Sequence, residues 1–124
     1  VLLPYRDRYI YAIPGWHKDG AVNLVQVFDI FKSEWFQASP ILGNGVFGHA
    51  GGIIDNVILV CDGASMKRNF AAAPTVQVEQ SCLLGEIDVA NPSYINWQEW
   101  AHPSEQGRFR MAAVSDINND QICF

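Results

Sequence analysis

The sequence predicts an all-β chain assembled from repeats of a four-stranded antiparallel unit, and three observations carry that expectation. Short runs such as "YIYAI" (residues 9–13) and "NVILV" (residues 56–60) are rich in β-branched and aromatic residues, which suit a pleated, half-buried surface. No segment sustains apolar positions at three-four spacing over a helix-length window between a cap and a glycine. The plan of apolar run, turn and second apolar run also recurs along the chain.

Residues 1–15 form the first such pair, ending at Pro14-Gly15, and residues 48–63 repeat it with Asp55-Asn56 as the turn and Asp62-Gly63 at the end. Asn and Asp tolerate positive φ, so Asp55-Asn56 suits a two-residue hairpin connection. Residues 110–124 show the plan a third time, and aligning the second strands puts Ile10, Ile58 and Ile122 in register, at intervals of about 48 and about 64 residues. After the first two pairs comes another apolar strand closing on an acid, residues 24–29 with Asp29 and residues 82–88 with Asp88, followed by Trp35 and Trp97. Each full unit therefore has four strands. The longer interval contains an insertion, residues 64–81, read as a long loop interrupted by Pro74. The expected organisation is residues 1–47 as most of one unit, 48–109 as a second with the inserted loop, and 110–124 as the start of a third.

Composition narrows the function classes. The chain has 124 residues, 49% apolar and 17% charged, which is globular rather than disordered. Its formal net charge of -5, with only 8 Lys and Arg, argues against nucleic acid, whose phosphates demand clustered cations. No apolar run approaches the ~20 residues of a spanning helix, so no membrane span is expected. No signal-peptide pattern follows Val1, and any targeting segment is expected to be removed or to lie outside this stretch. The compartment is left open, with a soluble periplasmic or secreted setting among the options. Cys61, Cys82 and Cys123 are odd in number, with no CxxC pair and no His at ligand spacing. Buried thiols on strands are the favoured reading, with a Cys61–Cys82 bridge kept open for a secreted chain.

The glycine-ended second strands (Pro14-Gly15, Asp62-Gly63), the acid-closed third strands (Asp29, Asp88) and the fourth-strand tryptophans (Trp35, Trp97) resemble the signature of kelch-repeat β-propellers, a group that includes galactose-oxidase-like and sialic-acid-mutarotase-like proteins. The ~50-residue kelch period is near the observed interval. WD40 repeats place Trp-Asp at a strand end, whereas here each Trp stands alone after the acidic strand. The resemblance implies about two and a bit four-stranded kelch-type blades, part of a larger propeller, since closure takes typically four to eight blades. Remaining propeller blades are then expected partners.

Candidate site residues follow from residue chemistry placed on that frame. Arg108 and Arg110 precede the third unit and Arg68 lies in the insertion; a guanidinium offers a bidentate fork to a carboxylate. The resemblance implies that such loops gather at the channel mouth, where sialic-acid-mutarotase-like proteins would hold an acidic sugar. Trp16, Phe47, Phe70, Trp100 and Phe109 sit in connections, where exposed rings stack on sugars or anchor a partner peptide. His17, His49 and His102 show no metal-ligand spacing, so no metal or other cofactor is expected. The copper-site motifs of galactose oxidase have no residue-by-residue match. Glu79, Glu86, Glu99 and Glu105 supply candidate carboxylates for acid-base work on a sugar, with no catalytic residue assigned. The ligand-binding candidates are Arg68, Arg108, Arg110, Trp16 and His49. The functional expectation is a binding scaffold for a protein or small-molecule ligand, with a sugar-acting enzyme of mutarotase or oxidase type as the alternative.

Overall fold

In the computed structural model, which describes residues 1–18, 20–69, 72–101 and 106–124, Leu3 and Tyr5 are buried between exposed neighbours, the period of two that a strand produces. They lie on β1 (Leu2–Tyr5), and β2 (Tyr9–Ala12) returns beside it. A short ribbon of β3 (Trp16–His17) and β4 (Gly20–Ala21) follows, and then β5 (Val25–Asp29) and β6 (Glu34–Ala38) complete an antiparallel sheet of order β1-β2-β5-β6. A second sheet repeats this order. β7 (Ala50–Ile54) and β8 (Val57–Cys61) are joined by Asp55-Asn56, with Asp55 at φ 51. The hairpin of β9 (Ala64–Asn69) and β10 (Ala72–Val78) intervenes before β11 (Ser81–Ile87) and β12 (Ile95–Ala101). A third hairpin, β13 (Val114–Asp116) and β14 (Gln121–Cys123), turns through a 3-10 helix, Ile117–Asn119, capped by the Asp116 carboxylate. The fold is all-β, and the described strands form sheets that do not close into a ring. Among the described residues no helix is long and apolar enough to cross a membrane.

The strand registers make the repetition explicit. Across the first sheet one row reads Pro4–Ile10–Phe28–Trp35. In the second it reads Ile53–Ile58–Gly85–Trp97, and the third hairpin begins it again as Ser115–Ile122. Ile10, Ile58 and Ile122 thus occupy the same place in successive units. The core lies between the two sheets: Leu3, Tyr11, Val25 and Val27 from one face meet Ile58, Val60, Ile87 and Trp97 from the other. Ser39, just after β6, ties them together, accepting from Trp97 Nε1 at its carbonyl (3.0 Å) and from Ile95 N at its hydroxyl (3.0 Å). On the far face of the second sheet the third hairpin sits against Gly52. A Cβ there would lie 2.7 Å from Ser115 Oγ and 2.8 Å from Ile122, so only glycine admits this approach.

Three expectations change. Residues 64–81 are not a loop: 64–69 and 72–78 are the paired strands β9 and β10, and Ser81 opens β11, a strand character masked by polar residues and by Pro74. A register shift between Ala72 and Thr75 brackets that proline on an edge strand, the place where a missing N–H is tolerated. Cys61 and Cys82 are not free thiols. They face each other across β8 and β11, 4.0 Å apart at Cα, and form a disulfide, while Cys123 is free and exposed. Trp100 and Glu99, expected in a connection, lie on β12, and Glu86 lies within β11.

Candidate ligand surface

Three segments far apart in sequence meet at one end of the sheets. The first is the β3–β4 ribbon, which carries Trp16 outward; that indole is 56% exposed. Gly20 of the ribbon approaches Met66 Sδ, so the ribbon leans on β9, the strand that bears Arg68. The second is the loop before β7, where Phe47 exchanges backbone hydrogen bonds with Ala64 (2.9 and 2.8 Å). The third is the irregular stretch leading to β13. Its backbone is clamped at three points: Gly63 N donates to Arg108 O (2.9 Å), Arg108 N to Asp62 Oδ2 (3.1 Å) and Arg110 N to Gly48 O (2.7 Å).

These anchors align the aromatic rings. Trp16 meets Phe47 edge-on, centroids 4.9 Å apart, and Phe47 meets Phe109 edge-on at 5.4 Å. The Arg110 guanidinium lies 5.3 Å above the Phe109 ring. Edge-to-face contacts match the positive rim of one ring to the negative face of the next, and a guanidinium over a ring gains from the same quadrupole. Phe109 sits directly on Gly48, whose φ of +66 is left-handed; a Cβ there would fall 2.1 Å from the ring. Arg108 and Lys18 are exposed beside this line. The outcome is a ladder of rings flanked by cations in a chain whose net charge is negative.

His49 lies next to the ladder's floor. Its ring is buried, the residue being 7% exposed, and neither nitrogen has a hydrogen-bond partner. Burial, and to a smaller degree the positive Val1 amino group, push its pKa down to about 4, so the imidazole is neutral at ordinary pH. The residue also borders a groove of about 500 Å³ where β1, β7 and the approach to β13 converge, walled by Leu3, Pro4, Gly51, Ala112 and Val114.

A separate cavity of about 260 Å³ gathers carboxylates. Asp62, Glu79 and Glu99 line it with Ser65 and Ser81, and the Ser65 hydroxyl donates to Glu79 Oε1. Among the described residues no group of three or more His, Cys, Asp or Glu is arranged to hold a metal ion.

Of the sequence candidates, the structure brings Trp16 and Arg110 into one surface, with Phe47 and Phe109 between them; Arg108 adjoins through its backbone clamps, and His49 lies beneath. Arg68 is placed on β9 rather than in a loop. Glu79 and Glu99 share the acidic cavity, whereas Glu86 is on β11 away from it. Phe70, His102 and Glu105 lie outside the described residues. Sequence reasoning missed Gly48 as the seat of Phe109 and Asp62 as a clamp. The only signal for either was a glycine or Asp-Gly beside an apolar run. No protein-family model matches this chain, and no curated protein matches it.

Proposed function

We propose that this chain is a kelch-type propeller segment that acts as a binding scaffold, recognising a protein or small ligand through the surface of Trp16, Phe47, Phe109 and Arg110. The observation that carries the reading is the ladder itself, assembled from three segments and held by backbone clamps rather than by its own side chains. Rigid aromatic area costs little conformational entropy when a partner covers it, and a neighbouring guanidinium adds a directed contact to an anionic group. The repeated row ending in Trp35 and Trp97 supports the propeller part of the reading. A cross-strand disulfide fits an oxidising setting, periplasmic or secreted.

The test compares the chain with a Trp16→Ala/Arg110→Glu double variant in affinity capture from the native source, and in titration with N-acetylneuraminate followed by tryptophan emission. A partner or a sugar response retained by the parent chain and lost by the variant is the expected result. Equal behaviour of the two removes the ladder as the recognition surface.

A sugar-acting enzyme is the second reading, favoured by the cavity that holds Glu79 and Glu99 together with Asp62. Ring opening needs one group to take a proton and another to return it. The rate of N-acetylneuraminate anomer exchange, followed by NMR, decides: an unchanged rate eliminates the mutarotase form of this reading.

A further inference from the structure

We propose that His49 is a proton-operated latch beneath residues 107–110, and that protonation of its buried ring releases this segment, with Phe109 and Arg110, from the floor formed by Gly48 and Gly63. The functional consequence, acid-triggered loss of the ligand surface, rests on the recognition reading above; the latch itself does not.

Buried polar atoms in folded proteins nearly always have partners, and both ring nitrogens of His49 lack one. A neutral imidazole tolerates this at modest cost, but an imidazolium carries a charge and two donors with nothing to receive them. The positive Val1 amino group acts on the ring unfavourably, and the stretch packed over Gly48 offers no acceptor charge, its Arg108 and Arg110 being exposed cations. The turn whose Gly63 lies against His49 Cβ brings one carboxylate, Asp62. The remaining residues along the groove that His49 borders are uncharged.

A proton on His49 therefore has two means of relief. It can draw the Asp62 carboxylate, which loosens the hydrogen bond from Arg108 N, or it can admit water, which requires the segment above to lift. Both act on the same clamp. Residues 107–110 belong to no strand and are held by the three hydrogen bonds described above, so their opening is far less costly than opening either sheet. A titrating histidine coupled to an element with two arrangements is the general form of a pH switch.

The experiment is amide hydrogen exchange by NMR on the free chain, each rate corrected for the intrinsic effect of pH. Between pH 7 and pH 4, protection at Arg108, Arg110 and Gly63 is expected to fall at least tenfold through an opening that low urea does not promote, whereas Tyr11 and Val27 exchange through the urea-promoted global opening that His49 also destabilises. In His49→Phe, or His49→Gln should the first not fold, the urea-independent opening at the three clamp amides no longer depends on pH. No urea-independent fall in the parent chain, or the same fall in a variant lacking His49, overturns the latch. If neither variant folds, the Arg110 amide shift must titrate with the midpoint of the His49 ring protons; separate midpoints overturn it equally. Because no ligand is present, this result stands apart from the capture and titration experiments.

Discussion

Single residues set the local limits of this molecule. Gly48 is one: its left-handed backbone and the Phe109 ring lying on it leave no room for a side chain. Gly48→Ala is expected to lower stability by about 1–3 kcal/mol, from strain and overpacking together, and to displace Phe109 from Phe47. Denaturant melting and the loss of aromatic contacts between the two rings in NMR check it. His49 is another. Its folded pKa of about 4 lies below the unfolded value of 6.5, so the unfolded chain binds the extra proton first. Stability is full above about pH 6.5, declines as pH falls through that window, and levels off below about pH 4, a change on the order of 3 kcal/mol. Urea midpoints measured between pH 7.5 and 4 give the slope, and His49→Phe flattens this contribution. Asp29 runs in the same direction for a different reason. The hydrogen-bonded Arg8 guanidinium, reached at 2.9 and 3.1 Å, holds its carboxyl below the usual range despite burial, so its stabilising contribution is present above the unfolded carboxylate pKa and is lost as pH falls through the folded one.

At the scale of elements, the β9–β10 hairpin is an addition to a complete sheet. Its neck is drawn together by the Cys61–Cys82 disulfide, with a sequence separation of 21. Chain-entropy arguments assign such a closure about 3 kcal/mol, so reduction, or Cys61→Ala/Cys82→Ala, is expected to lower the denaturant midpoint without unfolding the chain at rest. Comparing melts with and without a thiol reductant measures this. Replacing residues 65–77 by Gly-Gly should leave both four-stranded sheets in place, because Ala64 and Val78 already sit opposite one another. The far-ultraviolet spectrum should remain β-type, while binding is expected to weaken through loss of the support that Met66 gives the Trp16 ribbon. The strands of the two main sheets were legible because their alternation is strong: β5 reads buried, exposed, buried along Val25-Gln26-Val27. The hairpin was not, since its exposed valines, Val76 and Val78, follow a proline and face no core.

For the whole molecule, the two equivalent tryptophans are the telling comparison. Trp97 is 8% exposed because the first sheet covers its face, whereas Trp35, at the same place in its own row, is 61% exposed, with the Phe28 ring 5.1 Å away. Trp97→Ala is expected to cost about 3–5 kcal/mol and Trp35→Ala well under half of that, as read from denaturant melts of the isolated chain. In the proposed propeller, a further blade covers Trp35. Trp35→Lys should then disturb assembly of that larger structure while sparing this chain's own fold, which size-exclusion chromatography distinguishes.

The all-β class and the strands of the two four-stranded units were determined by the sequence alone, because the period of two and the glycine and acid punctuation are local properties that survive in any context. What only the tertiary structure decided is which separated residues meet: Cys61 with Cys82, Trp16 with Phe47 and Phe109, and His49 with no partner for its ring. Those meetings depend on register between strands and on the packing of one sheet against the next, and neither is written in any one segment of the chain.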